Sequence, residues 1–114
     1  MNLEREEGLA LVSEALSKLP EDKNTEVVFA PSFLYLHKIA KMCNDFDSVF
    51  LAAQNCSKEE KGAFTGEVSA EMISSSKGDY VLIGHSERRE FFKETNGDLA
   101  QKVNRALANN LKVI

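Results

Sequence analysis

Tyr80-Val81-Leu82-Ile83-Gly84-His85-Ser86-Glu87-Arg88-Arg89 is the stretch around which the rest of the chain is arranged. Its first four residues, two of them β-branched and one aromatic, read as a short buried strand. Gly84 permits a tight turn, so His85 falls where the strand gives way to the next helical segment. Imidazole, hydroxyl, carboxylate and guanidinium groups then follow one another just past the carboxyl end of an apolar strand, the usual address of an α/β active site. A plainer reading of the same residues stands beside this one: His85 caps a helix, and Ser86 to Arg89 form its solvated start.

Upstream of this stretch, Ser48 to Ala53 reads as another buried strand, leading into the polar Gln54-Asn55-Cys56. The loop from Ser57 to Glu67 is long for a strand-to-helix connection and displays Gly62-Ala63-Phe64-Thr65-Gly66-Glu67. Long ordered loops are usually functional. Phe64 seeks either a partner surface or its own core, and the stretch alone leaves both open. Ser69 can cap a short helix over Ala70 to Ser76, with Val68 and Ile73 placed for a hydrophobic staple, and Lys77-Gly78-Asp79 ends it.

Nearer the beginning, Leu9, Val12, Leu16 and Leu19 share one face of a predicted helix over Leu3 to Leu19, stopped by Pro20 and followed by a polar turn from Glu21 to Asn24. Glu26 to Ala30 reads as a strand closed by Pro31. Ser32 can cap a helix in which Phe33, Leu36, His37, Ala40 and Cys43 recur at helical spacing, which makes His37 a structural histidine. Downstream, Phe91-Phe92 is expected to anchor its irregular segment to the body. Thr95 to Asp98 resembles a capping box for a helix with Leu99, Val103, Ala106 and Leu107 on one face, closed by Asn109-Asn110.

Helix and strand therefore alternate, which predicts a parallel sheet with helical crossovers. The chain opens on a helix with no strand before it and stops inside the apolar run Leu111 to Ile114, as a piece cut from a larger sheet would. Its 114 residues allow one modest domain, and 43% apolar with 28% charged residues is a globular composition. The net charge of −4 is spread along the chain, and no basic arm or stripe points to nucleic acid. No apolar run approaches a membrane span, and the acidic Glu4-Arg5-Glu6-Glu7 is the opposite of a signal or transit peptide, so a cytoplasmic protein is expected. Cys43 and Cys56 lack the close pairing of a metal or redox site, and neither His37 nor His85 stands at a ligand-like spacing from them. Two reduced, packed thiols are expected.

The Gly62 to Glu67 loop together with Ala52-Ala53-Gln54-Asn55 and Ile83 to Arg89 resembles the triosephosphate isomerase family, in the family's order and over the whole of residues 1–114. The resemblance implies an α/β fold that is part of a TIM (β/α)8 barrel of roughly 250 residues, as a single domain running from the first helix to the start of the fifth strand. It also implies the family's established chemistry, in which a glutamate moves a carbon-bound proton between glyceraldehyde 3-phosphate and dihydroxyacetone phosphate through an enediol or enediolate while a neutral histidine polarises the carbonyl oxygens. The electrophilic histidine falls on His85, where a helix N-terminus disfavours the imidazolium. Glu87 matches an acid that supports the active-site lysine, and Ser86 a supporting hydroxyl that can equally cap the helix.

The resemblance further implies a homodimer. Phe64, Thr65 and Gly66 would form its interface loop, with Thr65 entering the neighbouring active site, and Arg88 and Glu67 would pair across the interface. Glu94 matches a buried structural acid. The substrate is a triose phosphate, and no cofactor or metal is implied. The family's substrate-holding Asn and Lys, its catalytic glutamate, its mobile lid and its phosphate loops have no counterpart in these 114 residues, so this chain alone is expected to be inactive. One alternative is a non-catalytic α/β interaction module derived from the same fold. A hydrolase built on Ser86 and His85 is disfavoured, because adjacent residues point apart and no nucleophile elbow accompanies them.

Overall fold

A computed structural model describes residues 2–19 and 24–114; the helix stop at Pro20 and the start of the polar turn at Glu21 lie outside them. Among the described residues nine elements follow in order: α1 (Arg5–Ser17), β1 (Val27–Phe29), α2 (Phe33–Cys43), β2 (Val49–Ala53), α3 (Ala70–Ser75), β3 (Tyr80–Val81), α4 (Ser86–Phe91), α5 (Asn96–Ala108) and β4 (Lys112–Val113). The strands form one parallel sheet in sequence order, β1-β2-β3-β4. Each strand returns parallel through helical crossovers, the connection that parallel strands require. The expected parallel sheet with helical crossovers is therefore present.

Strand alternation separates two faces. Val49, Leu51 and Ala53 of β2, with Val81 of β3, join Val12 and Leu16 of α1, Leu36, Ile39 and Cys43 of α2, Ile73 of α3 and Ala106 of α5 in one buried cluster. The opposite face carries Phe50, whose ring meets Tyr80 edge-on at 5.9 Å, and Lys112, whose ammonium sits 4.9 Å from the Tyr80 ring centre. Lys112 Nζ also donates to the Tyr80 hydroxyl at 3.0 Å, and that hydroxyl donates to Glu26 Oε2 at 2.6 Å. Glu26 adjoins β1 and Lys112 opens β4, so a strongly curled sheet brings together side chains from its two outer strands.

Most element ends follow their predicted signals. The Ser69 hydroxyl accepts from Met72 N at 3.2 Å, and Thr95 and Asp98 form a reciprocal capping box. Lys77, rather than Gly78, takes the left-handed conformation after α3; glycine is needed at 78 because a Cβ there would lie 2.5 Å from Ile73 Cγ2.

Several expected placements are corrected. His37 is exposed, because the buried stripe of α2 runs through Leu36, Ile39 and Cys43. Phe33 lies at the margin of that stripe, and Ser32 occupies the N-cap position without a side-chain hydrogen bond. Leu107 is exposed, and Lys102 takes its place on the buried face of α5. Phe91 and Phe92 anchor nothing: they are 68% and 65% exposed, and Phe92 is instead covered by the Arg88 guanidinium at 4.4 Å.

Candidate active site at the carboxyl ends of the strands

The parallel register brings the ends of β1, β2 and β3 to one rim. Gln54 Nε2 donates to Ala30 O at 2.8 Å, binding the first two strand ends together. Beyond β3, Leu82 N and Ile83 N continue the ladder to Ala53 O and Ile114 O. Gly84 then turns the chain at a φ of +82°, and its Cα faces Leu99 so closely that a Cβ would lie 3.2 Å from Leu99 Cδ1. The positive φ favours glycine, and a Cβ would in addition push the Leu99 side chain aside by a few tenths of an ångström.

His85 is the N-cap residue of α4. Its Nδ1 accepts the backbone N–H of Glu87 at 3.3 Å, which leaves Nε2 to carry the proton of a neutral ring. The side chain is about half exposed. Glu87 is largely exposed, with Oε2 3.8 Å from His85 Nδ1. Ser86 is exposed and does not cap α4, since the imidazole does.

Arg88 of α4 enters a charged cluster in which Glu94 was expected as a buried acid and Lys102 was not foreseen. Glu94 Oε1 accepts from Arg88 Nε and from Lys102 Nζ, both at 2.6 Å. Lys102 also donates to Asn55 Oδ1 at 2.7 Å, and its side chain is only 6% exposed. Glu94 Oε2 is buried with no partner among the described residues. Burial would raise the Glu94 pKa, but the hydrogen bonds and charges of Lys102 and Arg88 outweigh it and hold the carboxyl below its ordinary value. The cluster keeps Asn55 and α4 in fixed relation. Lys102 was legible in principle, since it stands three residues after Leu99 and four before Ala106, in the middle of an apolar face.

The Gly62–Glu67 loop stands to one side. Phe64 N bonds Gly62 O and Glu67 N bonds Phe64 O, each at 3.0 Å, and Gly62 and Gly66 take φ values of +140° and +94°. Phe64 stays outside the core at 46% exposure, and Thr65 and Glu67 are exposed as well. Phe64, Glu67, Arg88 and Phe92 line a cavity of about 370 Å³, so the loop and the C-terminal end of α4 share one surface. Within the chain Arg88 pairs with Glu94 rather than with Glu67.

No helix among the described residues is long and apolar enough to cross a membrane. The family model described as triosephosphate isomerase matches residues 1–114. The chain is 44% identical to the triosephosphate isomerase of Phocaeicola vulgatus over 100% of its own length and 45% of that protein's. It is 48% identical to that of Cytophaga hutchinsonii over 97% of itself and 44% of the relative, and 50% identical to that of Coprinopsis cinerea over 89% and 39%. It thus spans less than half the length of these curated relatives. A curled parallel wall with its histidine at the strand ends, matched along its whole length by one family, places the chain in the triosephosphate isomerase family.

Proposed function

We propose that these residues are the segment from the first helix to the start of the fifth strand of a triosephosphate isomerase, and that His85 is its electrophile. The observation that carries the reading is the hydrogen bond from Glu87 N–H to His85 Nδ1, which leaves Nε2–H free to donate at the rim. A triose phosphate seated there would have its carbonyl oxygen polarised by that donor. The developing oxyanion would be held while a glutamate outside these residues moves the carbon-bound proton. Glu87 would orient the lysine that neutralises the substrate, and Ser86 would support the same rim.

In the assembled enzyme a second copy would cover the Gly62–Glu67 loop, with Thr65 reaching the neighbouring site and Glu67 meeting Arg88. The exposure of Phe64 and the cavity shared by Glu67 and Arg88 support that arrangement. A cytoplasmic location fits a homodimeric enzyme of this kind. A non-catalytic interaction module has no use for an exposed imidazole held in one tautomer, and no observation favours it.

The test is an isomerase assay on the chain joined to the remaining strands of the barrel. Activity is expected, and His85→Gln should lower kcat on the order of 10²–10³-fold, as loss of an oxyanion donor does. A folded, complete barrel without isomerisation would refute the reading.

A further inference from the structure

α4 has only six residues and buries none of them, so packing does not hold the element that carries His85. So short a helix is not stable by itself either. Its orientation rests on the bond from Glu94 N–H to Arg88 O at 3.3 Å and on two side-chain tethers. One is Arg88 through Glu94 to Lys102. The other is Arg89, whose Nε donates to Gly84 O at 3.1 Å while Nη1 donates to Asn96 Oδ1 at 2.8 Å.

We infer that Arg89 is the positioning residue for His85. Gly84 O belongs to the peptide that joins Gly84 to His85, and Gly84 sits at positive φ, where glycine allows that peptide to turn over. Arg89 Nε–H fixes the carbonyl direction, and with it the Cα–Cβ vector of His85. The second leg reaches Asn96, the first residue of α5, whose capping box and buried Leu99 and Ala106 fasten it to the body. The guanidinium alone spans both acceptors as a rigid fork; lysine offers one flexible ammonium. His85 thereby keeps Nδ1 on the Glu87 amide, which leaves Nε2 as the donor nitrogen of the ring. The inference deepens the isomerase reading and takes its catalytic meaning from it, while its geometry is tested without turnover.

The experiment is ¹H–¹⁵N correlation of the imidazole rings in the ¹⁵N-labelled chain, with exposed His37 as the internal reference. His85 should show one dominant Nε2–H tautomer. In Arg89→Met the two ring-nitrogen signals should draw together, His37 should stay fixed, and exchange of the Glu87 amide should rise about tenfold as the local structure opens. Arg89→Lys should lie between, and Asn96→Ala should produce a smaller shift of the same sign. Unchanged His85 signals in a folded Arg89→Met overturn the inference. If that variant does not fold, unchanged signals in both Arg89→Lys and Asn96→Ala overturn it instead. In the completed barrel, Arg89→Met should lower kcat on the order of 10–100-fold with KM nearly constant, the signature of a misplaced group rather than lost binding. An inactive barrel with Arg89 intact would sink the isomerase reading, and the ring signals would still decide the role of Arg89.

Discussion

Glu94 shows how a single residue couples stability to acidity. Its carboxylate joins two cations, one of them buried, so Glu94→Gln leaves the buried Lys102 ammonium without an anionic partner. Breaking such a buried pair should cost about 3 kcal/mol, read as a lowered urea midpoint. Because the folded pKa of Glu94 lies below the unfolded one, its stabilisation is fully present above the ordinary carboxylate value and is lost as pH falls through the depressed one. Asp98, held low first by the hydrogen bond from Lys58 and then by those from Thr95, acts in the same direction. Urea midpoints should therefore fall as pH drops below about 4.5, and Glu94→Gln should flatten that slope; a midpoint indifferent to acid would contradict the pairing. Cys56 makes the complementary case. Burial, opposed by Lys102, pushes its thiol up to about 11, so thiol reagents at neutral pH should label it only after denaturation.

At the level of elements, the ends were far more readable than the faces. Ser69 and Thr95 announced their helices because a hydroxyl beside free amides is a local interaction that needs no partner from elsewhere. Which side of a helix is buried depends on its neighbours. His37 next to Leu36 and Leu107 next to Ala106 each stand one helical step away from the covered stripe, and the spacing alone did not fix where that stripe ends. Phe91-Phe92 misled for a related reason, since a pair of rings signals burial only if apolar neighbours close over both, and here one guanidinium covers one ring. The place of His85 at a strand exit was legible because a strand, a glycine and a titratable ring occur in uninterrupted order. The Arg89 tether was not, because its acceptors lie five residues back and seven ahead. Gly84→Ala should cost about 1–2 kcal/mol for the left-handed backbone alone, with more from the approach of Leu99, and the loss should appear in the thermal midpoint.

Taken whole, the molecule is a sheet clothed with helices on one side. β1 and β4 are its outer strands among the described residues, and Phe50, Tyr80 and Lys112 stand on the side opposite the helical core. Open strand edges beside apolar side chains invite association. Sedimentation of the 114-residue chain should depend on concentration, and Val28→Lys, placed in register with Phe50, should reduce that dependence. A chain that stays monomeric at every concentration would show that the bare side is not adhesive. The parallel order and four-strand wall followed from the alternation of apolar runs with helical spacing. The curl did not, since it depends on contacts between residues more than fifty positions apart.

That curl is held by Glu26, Tyr80 and Lys112, side chains that span the sheet from one outer strand to the other. An arch with its own tie-rod keeps its shape before any further stones are laid. Strands that complete the ring would meet a template already bent to the right radius, so joining them would be an act of docking rather than of bending. Cutting the tie with Tyr80→Phe should therefore slow assembly of the full barrel more than it weakens the finished one, because the closed ring supplies the curvature that the tie had been holding in advance.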